Sequence, residues 1–425
     1  MKTRALSAIG RRTKAPPISW LMATTLARPK LISLAAGFTD HATLPRSAVR
    51  DLLQQMLRSP ASGEAALQYG STAGDPVLRR LTARRFLALD GASGRAAAWS
   101  PDRIIIANGS QQILYILTEA LCDPGDIVLL EDPTYFVYLG ILQSHGLAAR
   151  TVQIRPDGLD LVHLEQVLEK LRRSGDLRRV KLLYLVSYHQ NPTSITTSLE
   201  KKAGALGLLR HYERAAGHPL YLLEDAAYRE LRFAGDDIPS ALSLRGGGER
   251  VLHAGTYSKP FATGIRVGFA VLPEPVYTAV LRIKGNHDFG TSNLLQQLLA
   301  RALGSGDYDR HLRELQARYA HKSHVMRAAI REYFPSSIQW REPQGGLYFW
   351  ARLPQRVKTG SRSKLFAAAL AKQVLYVPGE LCYAPDPTRP APNHEMRLSF
   401  GAASEANLRA GIRRLGVALH QFLSR

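Results

Sequence analysis

From about residue 100 onward, short apolar runs alternate with longer stretches of helical spacing. This alternation constrains the fold more than any other feature of the chain. Residues 103–107, 127–131, 181–187, 220–224 and 251–256 are too short for helices and almost continuously apolar, so they read as buried strands. Between them, 111–121, 135–144 and 198–215 carry helical periodicity. Strand, helix and strand in succession imply right-handed crossovers and a mostly parallel sheet covered by helices on both faces. In sheets of this kind a ligand sits beyond the carboxyl ends of the strands.

Beyond residue 305 the pattern changes. A long helix is expected over 308–333, a strand over 346–353, a helix over 364–373, a strand over 396–400 and a closing helix over 403–422. Turn-rich linkers at 343–346 and 385–392 separate these pieces. A chain of 425 residues exceeds the usual single core. We expect an N-terminal arm with a small-domain contribution over 1–60, a large domain over 61–305 and a small C-terminal α/β domain over 306–425.

Basic residues number 56 against 35 acidic, a net charge of +21. The charges are scattered, with no long basic run and no winged-helix or zinc-finger pattern. The excess is therefore read mainly as compositional bias, with some attraction for anionic substrates, and nucleic-acid binding is not expected. The two cysteines, Cys122 and Cys382, form neither a CxxC pair nor a metal-binding spacing, which suits a reducing cytoplasm. No apolar run is long enough to span a bilayer. The opening segment carries Lys2, Arg4, Arg11, Arg12 and Lys14 before the first acidic residue, Asp40. It has a faint transit-peptide character but is read as an arm that packs on the body or on a partner subunit.

Chemistry concentrates where the predicted strands end. After 251–256 come Ser258 and Lys259, with Arg266 seven residues on and glycines at 255, 264 and 268. A lysine amine condenses with aldehydes, and a hydroxyl beside a guanidinium holds a phosphate. Asn108-Gly109-Ser110-Gln111 joins a strand to a helix, where free backbone N–H groups and the helix dipole favour an anion. Asp132-Pro133-Thr134-Tyr135, Gln190-Asn191-Pro192-Thr193 and Glu224-Asp225-Ala226-Ala227-Tyr228 each follow another strand. Met396-Arg397-Leu398-Ser399-Phe400 places a fork of N–H donors in a late strand.

The run from Ser258 to Gly268 resembles the Ser-Lys-x-x-x-x-Gly-x-Arg-x-Gly signature of fold-type I pyridoxal-phosphate aminotransferases, class I/II, and the likeness extends over residues 30–425. The ordered set of Gly109, Tyr135, Asn191, Asp225, Tyr228, Lys259, Arg266 and Arg397 carries it, since each tripeptide alone is common. Within the family the chain looks most like the aminoadipate/kynurenine aminotransferase branch. Certain winged-helix regulators share that branch, but the roughly 35 residues before the matching region are too few for a DNA-binding module.

The resemblance implies an aspartate aminotransferase-like fold, with a mostly parallel seven-stranded-type sheet sandwiched by helices plus a smaller α/β domain. It implies pyridoxal 5'-phosphate held as a Schiff base on Lys259, which is also the catalytic proton carrier. Gly109, Ser110, Gln111, Ser258 and Arg266 would serve the phosphate, Tyr135 would stack on the ring, and Asn191 and Tyr228 would bond the phenolic oxygen. Asp225 would face the pyridine nitrogen. Arg397 would clamp the substrate α-carboxylate, with Asn191 and the backbone at Gly37 beside it. Tyr69 would reach the phosphate of the other subunit, making a homodimer with shared active sites. The implied reaction moves an amino group between an L-amino acid and a 2-oxo acid. A lyase, racemase or decarboxylase on the same scaffold remains an alternative, as does a regulator that keeps the cofactor without turnover. The chain departs from the family pattern at Ser194, where a glycine is usual, and at Phe38-Thr39, near which Gly-x-Pro is usual.

Overall fold

The computed structural model describes residues 5–386 and 389–423. Lys2 and Arg4 of the basic opening segment, and part of the 385–392 linker, lie outside the described residues. In chain order the strands are β1 (Ile32–Ser33), β2 (Ile104–Ala107), β3 (Ile127–Asp132), β4 (Ala148–Arg155), β5 (Gly158–Leu159), β6 (Val180–Val186), β7 (Tyr221–Asp225), β8 (Val251–Thr256) and β9 (Gly268–Val271). The later strands are β10 (Gln339–Trp340), β11 (Tyr348–Arg352), β12 (Val374–Leu375), β13 (Val377–Pro378) and β14 (Glu395–Ser399).

The large sheet has the order β2-β9-β8-β7-β6-β3-β4-β5. Neighbours from β8 through β4 run parallel. β9 is antiparallel to both β8 and β2, so β2 points the same way as the parallel strands. β5 is a two-residue strand turned back on β4 at the far edge. Strands 103–107, 127–131, 181–187, 220–224 and 251–256 therefore stand where the periodicity expects them, within a residue or so at each end.

Alternate residues of each strand enter different cores. Ile104 and Ile106 pack in one apolar cluster, with Leu183, Leu222 and Val251. Ile105 and Ala107 pack in another, with Leu182, Leu223 and Leu252. The first is closed by helices such as Leu161–Arg173 and Leu199–Ala216, the second by Ser110–Leu121 and Phe136–His145. Burial on both faces is why these strands are continuous in apolar residues; each fully buried Leu or Ile contributes about 1.5–3 kcal/mol. Local signals set the helix ends. Ser198 accepts from the Lys201 N–H at the start of Leu199–Ala216, and Gly217, at φ 80°, ends it.

The second sheet, β10-β11-β14-β13, is antiparallel, and β1 pairs in parallel with β12 beside it. The helices Asp307–Tyr333 and Glu405–Leu423 pack on this side, sharing a third core with Leu34, Phe349, Val377 and Leu398. β1 thus returns the early chain to the late sheet and holds residues 34–38 between the two sheets. The arm is docked: Arg12 Nε donates to the Ser144 carbonyl at 2.9 Å.

Candidate active site

Because β2, β3, β6, β7 and β8 point one way, the turns after them meet at one edge of the sheet. Lys259 follows β8. The Ser258 N–H donates to Thr256 Oγ1 at 3.1 Å and tightens the turn that presents it. Lys259 Nζ donates to the Gly37 carbonyl at 2.7 Å. Burial, then repulsion from Arg266 and Arg397, brings this amine down to about 8. Asp225 ends β7, buried at 3% exposure. It accepts from the Tyr184 hydroxyl at 2.8 Å and from the Ala227 N–H at 3.1 Å. Burial outweighs both bonds and pushes its carboxyl up to about 6.

An anion-sized concavity lies on one side of Lys259. Gly109, at φ 81°, immediately precedes the helix Ser110–Leu121, so the N–H groups of the first turn have no helical partner. A Cβ at Gly109 would stand 2.8 Å from Arg266 Nη2, and only glycine lets the arginine lie across this turn. Arg266 adopts φ 52°, and its guanidinium keeps only long contacts: 3.4 Å to Ser258 Oγ, 3.5 Å to the Thr263 carbonyl and 3.3 Å to the Asn108 carbonyl. A charged fork this loosely engaged has donors to spare for a phosphate.

The other side is built around Arg397, in the middle of β14 opposite Trp350 and Val377, and 2% exposed. Its Nη1 donates to Asn191 Oδ1 at 2.7 Å and its Nη2 to the Ala35 carbonyl at 2.6 Å, while Nε is buried with no partner among the described residues. The Tyr348 ring lies 4.2 Å beneath the guanidinium. The Tyr348 hydroxyl meets that of Tyr228 at 3.0 Å. A Cβ on Gly37 would come within 2.6 Å of the same Tyr348 hydroxyl. Ser194, the departure from the family's glycine, sits at φ 61° and donates Oγ to the Tyr348 carbonyl at 2.6 Å, tying the Asn191 loop to β11.

These groups face one cavity of about 440 Å³. Of the residues singled out from the sequence, Gly37, Ser110, Gln111, Tyr135, Asn191, Asp225, Tyr228, Ser258, Lys259, Arg266 and Arg397 line it. Gly109 lies directly behind Arg266. Tyr69 stands apart from it, 82% exposed, with its ring edge-on to Phe289 at 5.4 Å. Sequence reasoning missed Tyr348, which touches three of these groups, and Tyr184 beneath Asp225. Tyr184 is one more large residue in an apolar strand, and Tyr348 has no local motif. Only their cross-sheet neighbours mark them.

The aminotransferase class I and II family matches residues 29–415 of this chain. The chain belongs to that family. This aminotransferase is 29% identical over 401 residues to aromatic-amino-acid aminotransferase 1 of Thermococcus litoralis, covering 92% of this chain and 88% of the relative. Its structure matches that of the kynurenine aminotransferase of Pyrococcus horikoshii, solved with PMP, with a TM-score of 0.88 and 29% identity over 99% of this chain and 98% of that one. It also matches the α-aminoadipate aminotransferase of Thermus thermophilus, complexed with N-(5'-phosphopyridoxyl)-L-leucine, with a TM-score of 0.84 and 28% identity over 100% and 99%. The resemblance read from the motifs and the aspartate aminotransferase-like fold agree with these matches. The enzyme is a transaminase of the group that includes aromatic, aminoadipate and kynurenine aminotransferases. No helix among the described residues is long and apolar enough to cross a membrane.

Proposed function

We propose that the enzyme binds pyridoxal 5'-phosphate covalently through Lys259 and moves the amino group of an L-amino acid to a 2-oxo acid. The observation that carries this reading is the buried Lys259 amine, lowered to about 8, in one cavity with Asp225, Arg266 and Arg397. The donor set fits the cofactor. Arg266 with Ser258, and the helix start at Gly109, Ser110 and Gln111, would hold the phosphate. Asn191, whose Oδ1 already accepts from Arg397, keeps its amide N–H groups for a phenolic oxygen, and the Tyr228 hydroxyl, paired with that of Tyr348, could donate to the same oxygen while accepting from Tyr348. Tyr135 would lie against the ring face. Asp225, raised to about 6 without a cation, becomes a stable carboxylate once a protonated ring nitrogen faces it.

When bound, the cofactor supplies an aldehyde that condenses with amines and a ring that accepts the electron pair released at the substrate Cα. The protein's residues do the rest. Arg397 binds the α-carboxylate and fixes the orientation of the Cα–H bond. Lys259 Nζ takes the proton from Cα, and an amine near 8 is about one-tenth neutral at pH 7, far more than an ordinary lysine, for that work. The Gly37 carbonyl, 2.7 Å from Nζ, aims the amine. The Tyr348 and Phe136 rings, 4.2 and 5.5 Å from the Arg397 guanidinium, shield it from water.

The remaining assignments are part of the same proposal. Exposed Tyr69 reaches the phosphate in the other subunit of a homodimer, as its position outside its own cavity supports. The free, buried Cys122 and Cys382 support a cytoplasmic setting. The chain divides into an N-terminal arm with a small-domain contribution over 1–60, a large domain over 61–305 and a small C-terminal domain over 306–425; within the first part, Leu52 and Met56 of the helix Arg46–Leu57 pack in the large apolar cluster.

The test is single turnover. Cofactor-loaded protein given a donor alone should release one 2-oxo acid per site and leave one equivalent of pyridoxamine phosphate. Continued release of a 2-oxo acid without an acceptor would mark a lyase, and release of carbon dioxide with an amine would mark a decarboxylase; either result refutes the proposal.

A further inference from the structure

A second cavity of about 290 Å³ adjoins the active site. Ile18 and Phe38 line both cavities. The walls of the second come from the helix Pro17–Leu26, the β1 segment and the turn after β14, with Leu21, Met22, Ile32 and Ala403 among them. The segment 35–38 separates the two spaces. On its active-site side the Ala35 carbonyl receives Arg397 and the Gly37 carbonyl receives Lys259; Ala35, Ala36 and Phe38 line the second cavity. A substrate whose carboxylate lies on Arg397 and whose Cα faces Lys259 lies against this segment. Ile18 and Phe38, which line both cavities, then offer its side chain a route toward the second cavity.

Charge decides what that side chain is. Among the described residues no Lys, Arg, Asp or Glu lines the second cavity, and the ten residues of the helix Pro17–Leu26 carry none. The one titratable group among those lining residues is His41, which is exposed. In the first cavity the cations are Lys259, Arg266 and Arg397, each already engaged by the reaction, the phosphate or the α-carboxylate. A side-chain carboxylate placed here would lie against apolar groups and gain no cation. An apolar cavity of about 150 Å³ is enough for a benzene ring, so the space suits a bulky side chain.

We propose that the amino donor is an L-amino acid with a large, uncharged, apolar side chain, selected by the cavity behind Phe38 and Ile18. This rests on the transaminase reading above and adds the substrate class. Thr25, half-buried in the wall, and Phe38, at the junction, are the specificity-determining positions.

The experiment is the half-reaction of the cofactor-loaded enzyme with phenylalanine, leucine, alanine, glutamate or 2-aminoadipate alone, followed by the cofactor spectrum. Phenylalanine and leucine should each exceed both acidic donors and alanine by at least about tenfold in kcat/KM. Phe38→Ala should lower phenylalanine several-fold more than alanine. Thr25→Arg, or Met22→Lys should the first fail to fold, should raise glutamate relative to phenylalanine by about tenfold or more. A preference for glutamate or 2-aminoadipate in the parent enzyme, or variants that move all donors alike, overturns the inference and leaves transamination intact. No spectral change with any of the five donors overturns the transaminase reading and this inference with it.

Discussion

Gly37→Ala is the sharpest probe of how the two sheets build the site. The new methyl would stand 2.6 Å from the Tyr348 hydroxyl, well inside the roughly 3.4 Å at which ordinary contact begins. No other atom meets it closely, since the ring carbon bearing the hydroxyl is 3.8 Å away. The hydroxyl has little room to retreat, because Tyr348 is 1% exposed and sandwiched between Tyr228 and Arg397. Displacing it breaks a neutral hydrogen bond worth about 0.5–1.5 kcal/mol and loosens a desolvated cation–π contact worth up to about 2 kcal/mol. A cost of about 1–3 kcal/mol is about five- to 150-fold in kcat/KM for the donor half-reaction. Cofactor colour should survive, because the damage lies on the carboxylate side. Tyr348→Phe removes the only clashing atom. In the Gly37→Ala, Tyr348→Phe double variant, kcat/KM should return to within about threefold of Tyr348→Phe alone, a strongly non-additive cycle. Additive losses would show that the hydroxyl is not what requires glycine at position 37, and the account of this contact would be wrong.

The proposed roles of other residues lead to separate measurements. Tyr184→Phe removes a donor to Asp225, whose carboxyl burial already raises to about 6; less of the carboxylate is then ionised, and cofactor retention should weaken by about tenfold or more. Unchanged cofactor affinity would show that Tyr184 merely fills space. The Lys259 amine, lowered to about 8, gains neutral fraction as pH rises, so covalent capture of the cofactor by unloaded protein should accelerate about tenfold from pH 7 to pH 9 and then level off. A rate still climbing beyond pH 10 would mean an ordinary lysine. Ser194 holds φ 61° and one hydrogen bond, terms of about 1–2 and 0.5–1.5 kcal/mol that oppose each other when it is replaced by glycine. Ser194→Gly should therefore unfold near the parent temperature and Ser194→Ala clearly below it, having lost the bond and kept the strain; the reverse order would refute this reading.

Much of the site was legible because its residues follow strand ends. Lys259 after β8, Asp225 at the end of β7 and Asn191 after β6 are readable once 251–256, 220–224 and 181–187 are recognised as buried strands. Burial on both faces writes itself into sequence as apolar continuity. Ala148–Arg155 escaped notice because that strand is only partly buried near the sheet edge, so its pattern mixes Arg150, Thr151 and Gln153 with apolar residues. Tyr69 illustrates a different limit. It is exposed in the single chain, and the proposed role for it depends on a second copy, which no local pattern describes.

Taken alone, the sequence determined the five buried strands of the large sheet and the helices between them, the parallel-sheet class and the chemical types at the strand ends. Those are properties of short segments, where periodicity, caps and turn residues act within a few positions. The tertiary structure alone decided that β9 turns antiparallel, so that β2 points with the others and brings Gly109 beneath Arg266. It alone brought Tyr348 from β11 against Gly37, Tyr228 and Arg397, and opened an uncharged cavity behind Phe38. These are contacts between segments tens to hundreds of residues apart. Their geometry is set by how two sheets share one interface, and nothing within either segment encodes it.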